Sequence, residues 1–148
     1  MKVRGMKIMG CLLILVCATG CATMSDVVRA KAEGKGTSRV YRVNVDKAWE
    51  IATMVFRFAQ TDAIEEHRSE GYMLTSIGKS SISWGAVIGV WVEAVDDESS
   101  RVTVVIKRRN PTELSVPFTE TDFHDDFELA WRKSLRKSEI SRESSRWI

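Results

Sequence analysis

The nine residues from Trp84 to Val92, WGAVIGVWV, carry no charge and no hydroxyl. Read as a strand, they place Trp84, Ala86, Ile88, Val90 and Val92 on one face and Gly85, Val87, Gly89 and Trp91 on the other, so both faces are apolar. An antiparallel sheet covered on one side alternates apolar with polar residues, so this strand demands cover on both faces. Either it is the central strand, with its glycines easing twist or close packing, or its outer face is completed by a partner or opens into an apolar groove. Trp84, Val87 and Trp91, with Trp49 on a neighbouring helix, are the candidate partner or ligand surface. Gly85 and Gly89 also spell GxxxG, a contact motif of membrane helices. The uncharged run falls short of the ~20 residues that a spanning helix needs.

The flanking sequence supplies the rest of a sheet and two helices. Tyr41, Val43 and Val45 alternate with Arg42 and Asn44, the pattern of a half-buried strand. Asp46 then caps a helix to about Gln60. Its polar stripe is narrow, Glu50, Thr53, Arg57 and Gln60, so it is expected to be buried on two sides. Residues 63–67 and 72–77 form a hairpin around Arg68-Ser69-Glu70-Gly71, and strands at 82–95 and 101–109 flank the polar turn Asp96 to Ser100. Short turns between successive strands imply antiparallel pairing. Pro111 and Pro117 break the chain before a second helix, which opens on the capping box Thr119/Asp122 or on Thr121. Acidic residues crowd its start and Arg132, Lys133, Arg136 and Lys137 its end, which complements the helix dipole. The fold class is α+β: a two-layer, largely antiparallel sheet in the order β-α-β-β-β-β-α, with helices on one face. The domain spans residues 38–138, followed by a polar tail at 139–148 in which Trp147 could dock.

The start of the chain has a different character. Lys2, Arg4 and Lys7 precede an apolar run of eleven residues, Ile8 to Ala18, and then Thr19, Gly20 and Cys21. The run is too short to span a bilayer and reads as the core of an export signal. The segment resembles the signal of prokaryotic lipoproteins, in which small residues precede a cysteine that becomes lipidated. Gly20 and Thr19 fit the two positions before Cys21, and Ala18 stands where Leu is usual. Cys17 is a poorer match because Val16 precedes it, and Cys11 lies inside the apolar run. The resemblance implies removal of residues 1–20, lipid on Cys21 and, from Ala22, residence on the periplasmic face of the outer membrane. The alternative is an ordinary signal cut after Gly20 or Ala22, giving a soluble periplasmic or secreted protein.

Removing residues 1–20 changes the charge. They hold three of the 22 basic residues and none of the 20 acidic ones, leaving 19 basic against 20 acidic. That balance gives no electrostatic footprint for nucleic acid. All three cysteines fall at or before position 21, so beyond it disulfides and cysteine metal sites are excluded. Residues 21–37, polar and small, read as anchor and tether, with a reach on the order of 20 to 25 Å. Their alternative is a short helix from Ser25 to Glu33, ended by Gly34 and Gly36.

Catalytic signals are sparse. His124 has Glu120 and Glu128 one turn to either side, which reads either as a weak metal or acid–base site or, more simply, as a boundary histidine. No HExxH, GxSxG, GxGxxG or Walker sequence is present. His67 reads as a solvated strand end, and Asp96-Asp97-Glu98 as a turn without the spacing of a calcium loop. The expectation is therefore a lipid-anchored envelope protein with a non-catalytic binding or assembly role, no cofactor, no metal, and an envelope protein as candidate partner. The alternatives are a carrier holding a small apolar or lipid ligand between helix and sheet, and an enzyme built on His124.

Overall fold

The computed structural model describes residues 22–113 and 118–144. The element order is α1 (Met24–Ala32), β1 (Thr37–Tyr41), α2 (Val45–Phe58), β2 (Glu65–His67), β3 (Tyr72–Ile77), β4 (Ala86–Ala94), β5 (Ser100–Arg108) and α3 (Glu120–Ser144). The five strands form one antiparallel sheet, ordered β1-β5-β4-β3-β2. The α+β class and the order β-α-β-β-β-β-α hold from β1 onward.

Local signals explain most of the boundaries. Asn44, not Asp46, caps α2, because its side chain accepts the Lys47 N–H at 2.9 Å. The β2–β3 hairpin turns through a short 3-10 segment and closes on Gly71, whose φ of 75° is one that glycine adopts at little cost. In α3 the Asp122 carboxylate accepts the Thr119 N–H at 2.8 Å while Thr119 Oγ1 accepts the Asp122 N–H at 3.1 Å, a reciprocal capping box. α3 continues to Ser144, into the stretch expected as a loose tail. Trp147 lies outside the described residues.

The main core lies between the sheet and the pair α2 and α3. Ile51, Ala52, Val55 and Phe56 of α2 meet Phe123 and Phe127 of α3 over Met73, Ile88, Val90, Val102 and Val104 of the sheet. The broad apolar arc of α2 is thus buried on two sides, as its narrow polar stripe implied.

The other face of the sheet corrects the expected layering. Residues 24–32 are a helix and not a tether, and this helix packs on the face opposite α2 and α3. Val27 and Ala30, one turn apart, are 0% and 2% exposed, and they sit with Leu74, Val87, Trp91 and Val105 in a second core. Ala22 and Met24 pack against its margin. Burying a valine side chain stabilises by about 1.5 to 3 kcal/mol, enough for a single turn of α1 to hold this helix down. Helices therefore cover both faces, and the two-sided apolarity of β4 is satisfied within the chain.

Gly89 shows how closely α1 approaches. A Cβ built there would lie 2.6 Å from Val27 Cγ1 and 2.7 Å from the Trp91 ring. The glycine makes room for the indole to lie along its own strand beneath α1. Gly85 serves differently: its φ is +86°, and a Cβ would run into the Ile77 carbonyl oxygen. Here the strand ends, and β4 begins at Ala86 instead of Ile82. The two glycines of the GxxxG pattern thus have separate reasons within a sheet.

Candidate functional site

His124 is fully buried, and its ring is committed. Nε2 stands 3.0 Å from the Thr37 carbonyl oxygen, a partner that can only accept, so Nε2 carries the proton. Nδ1 then accepts the Tyr41 hydroxyl at 2.8 Å. Burial holds the imidazole pKa below its ordinary value, with Arg39 adding to the effect against the pull of Glu120 and Asp125. Burial likewise pushes the Tyr41 hydroxyl up to about 12. The Glu120 carboxylate, read in sequence as a companion of His124, accepts instead from Thr37 Oγ1 at 2.6 Å and from the Ile106 N–H at 3.1 Å. Together these bonds pin the start of α3 to β1 and β5. The boundary histidine of the sequence reading is an interior clamp.

Three of the four candidate surface residues are inside. Trp91 and Val87 lie beneath α1, and Trp49 is 3% exposed in the main core. Trp49 Nε1 donates to Glu66 at 2.9 Å, and the Arg68 guanidinium lies 5.2 Å from its ring. Trp91 stacks on Tyr72, which stacks in turn on His67. These indoles fill space between layers. The groove they were expected to line is occupied by their own neighbours, which removes the geometric basis of the carrier reading.

Trp84 is the exception. It is 53% exposed, and Ile82, two residues before it, is 75% exposed. Both stand on the β3–β4 loop, residues 78–85, which is well tied: Ser80 donates its N–H to the Ser83 carbonyl at 2.8 Å and the Trp84 N–H reaches the Glu113 carboxylate at 3.2 Å. The Lys79 ammonium sits 4.0 Å from the Trp84 ring. Because Ala86 pairs with Arg108, this loop shares one end of the sheet with Lys107, Arg108 and Arg109. Ala22 reaches the same end, where it lines a cleft with Lys35, Lys107, Arg108 and Pro111. Sequence reading missed Ile82 and the basic companions, since it placed residues 82–85 inside a strand. The signal was present in Ser80-Ser81 and in Gly85.

The chain matches no protein-family model, no curated protein and no solved structure. What its surfaces do must rest on their own chemistry. Among the described residues no group of His, Cys, Asp and Glu side chains is placed to hold a metal ion. No described helix is long and apolar enough to cross a membrane. Asp96 accepts the Glu98 N–H at 2.8 Å, which holds its carboxyl below the usual range and marks residues 96–99 as a turn.

At the end of the sheet opposite Trp84, an open groove of about 900 Å³ runs between α3, the β1–α2 connection and the β4–β5 turn. Trp131 and Leu135 give it apolar lining, and Arg42, Lys47, Asp96 and Asp97 add charge of both signs. Leu135 is 48% exposed. A mixed apolar and charged lining suits a protein segment better than a wholly apolar ligand.

Proposed function

We propose that this chain is an envelope lipoprotein, anchored in the outer membrane through lipid on Cys21, whose domain has a non-catalytic binding or assembly role on the periplasmic face. The observation that carries the reading is the packing of Ala22 and Met24 against the second core. Ala22, the residue after the cysteine that the signal pattern marks, already packs against the domain, which suits a mature chain beginning at Cys21. Cys21 itself lies outside the described residues. Binding over catalysis is supported by His124, whose two ring nitrogens are both spent on holding α3 to β1. The groove beside Leu135 is the surface such a role would use, because it opens at the end of the sheet away from Ala22.

Two measurements test the reading in cells. Cys21→Ala should abolish fatty-acid labelling and move the protein out of the membrane fraction; unchanged labelling sinks the anchor. A photo-crosslinking amino acid at Leu135 in the full chain should capture an envelope protein; absence of any adduct there overturns a binding role for this groove.

A further inference from the structure

The lipid-anchor reading leaves open how the domain sits on the membrane, and the structure bears on that through three features gathered at one end of the sheet. The first is the chain's own path. Ala22 lines a cleft with Lys107 and Arg108, and a trans peptide places neighbouring Cα atoms about 3.8 Å apart. A lipid on Cys21 would therefore leave the chain beside the C-terminal end of β5. The tether that would have let the domain tumble is used up as α1, fixed to β4 and β5 through Val27 and Ala30.

The second feature is the β3–β4 loop. Ile82 and Trp84 are the most exposed apolar pair on any described loop of that end, and the Ser80 and Ser83 hydroxyls hold the loop in shape by accepting the Ser83 and Gly85 N–H groups. Tryptophan favours the headgroup level of a bilayer, where its ring is in apolar surroundings and its N–H stays wet. Lys79, stacked over the Trp84 ring, brings a cation to the same spot. Glu113 bridges the two features, since its carboxylate accepts from the Trp84 N–H and its carbonyl from Arg108.

The third feature is charge. Lys79, Lys107, Arg108 and Arg109 gather beside the loop at this end, interspersed with the carboxylates of Asp62, Glu113 and Glu120. The opposite end carries Asp96, Asp97 and Glu98 together with Arg42 and Lys47. β4 is nine residues long, so the two ends are about 30 Å apart. The cations beside the exposed loop favour anionic headgroups, each one near the surface contributing about 1 kcal/mol.

We infer that the end of the sheet bearing Ile82, Trp84, Lys79, Lys107 and Arg108 lies against an anionic phospholipid surface, with Ile82 and Trp84 at headgroup depth. The inference rests on the Cys21 anchor, and it adds an orientation. Lipid and loop make two points of contact, which together restrict a domain that either alone would leave free to rotate. The groove beside Leu135 then faces away from the membrane.

Full chains carrying Ile82→Cys or Asp97→Cys, both at exposed positions, are processed in cells, labelled with an environment-sensitive fluorophore and reconstituted into phosphatidylethanolamine/phosphatidylglycerol vesicles. Spin-labelled headgroup lipid should quench the label at 82 several-fold more than the label at 97. Equal quenching at the two sites on vesicle-bound protein overturns the orientation and leaves the anchor standing. A processed chain that fails to float with the vesicles overturns the anchor reading, and the orientation with it. Circular dichroism of each labelled chain checks that the fold is intact.

Discussion

The Tyr41 hydroxyl donates to His124 Nδ1 at 2.8 Å, and this single bond joins β1, at the edge of the sheet, to the second turn of α3. Tyr41 also packs on Phe127, with ring centroids 4.5 Å apart, so the polar contact sits inside an aromatic cluster. Tyr41→Phe keeps the ring and removes the hydroxyl, leaving Nδ1 buried without a donor. The expected cost is about 1 to 3 kcal/mol, read from urea denaturation with an unchanged slope.

The same pair sets a pH dependence. Burial lowers the His124 pKa in the folded protein below its ordinary 6.5, with Arg39 acting in the same direction. The unfolded chain therefore takes up a proton that the folded one resists. Stability from this group is fully present above about pH 6.5 and is lost as pH falls from there through the folded value. The carboxyls of Asp26, Glu33 and Asp96 are also lowered, but their losses begin only nearer their ordinary values of 3.8 to 4.5. Denaturation midpoints between pH 7.5 and 5 should decline, and His124→Gln should flatten much of that decline.

Gly89→Ala puts a methyl group where Val27 and the Trp91 ring already stand. Neither neighbour is the loose end of a flexible chain. Overpacking of this kind typically costs about 1 to 3 kcal/mol, so thermal unfolding should occur several degrees lower. A neutral result would mean that α1 shifts freely on the sheet.

Val27→Asp tests whether α1 belongs to the domain. A carboxylate at a fully buried position should lift the helix and bare Trp91, shifting tryptophan emission to the red and speeding amide exchange along residues 24–32. The main core, on the far side of the sheet, should keep its exchange protection. Trp91→Ala should cost about 3 to 5 kcal/mol as a core substitution; near-neutral stability would return Trp91 to the surface.

Much of the architecture was legible one segment at a time. The hairpin turn before Tyr72, the inward set Val102, Val104 and Ile106, the broad apolar arc of α2 and the capping box at Thr119 each state their element, and short turns state how neighbours pair. α1 was less legible because its apolar content is only Met24, Val27, Val28 and two alanines amid charge. A helix so poor in apolar residues has little reason to form until a surface is there to receive it. The candidate site was read least well. Trp84, Trp91 and Val87 lie in one short run, yet the left-handed turn at Gly85 separates a loop indole from a buried one.

Residues taken in order along the chain specify the basic, apolar and small-residue succession that ends at Cys21, the absence of thiols beyond it, the α+β class, and the requirement that β4 be covered on both faces. These depend on composition, spacing and period, which are properties of the unfolded chain. Only the tertiary structure decided what covers the second face, where the His124 ring nitrogens are spent, and that Ala22, Trp84 and the basic end of β5 come together. Such outcomes depend on contacts between residues far apart in the chain, whose energies exist only once the layers have closed.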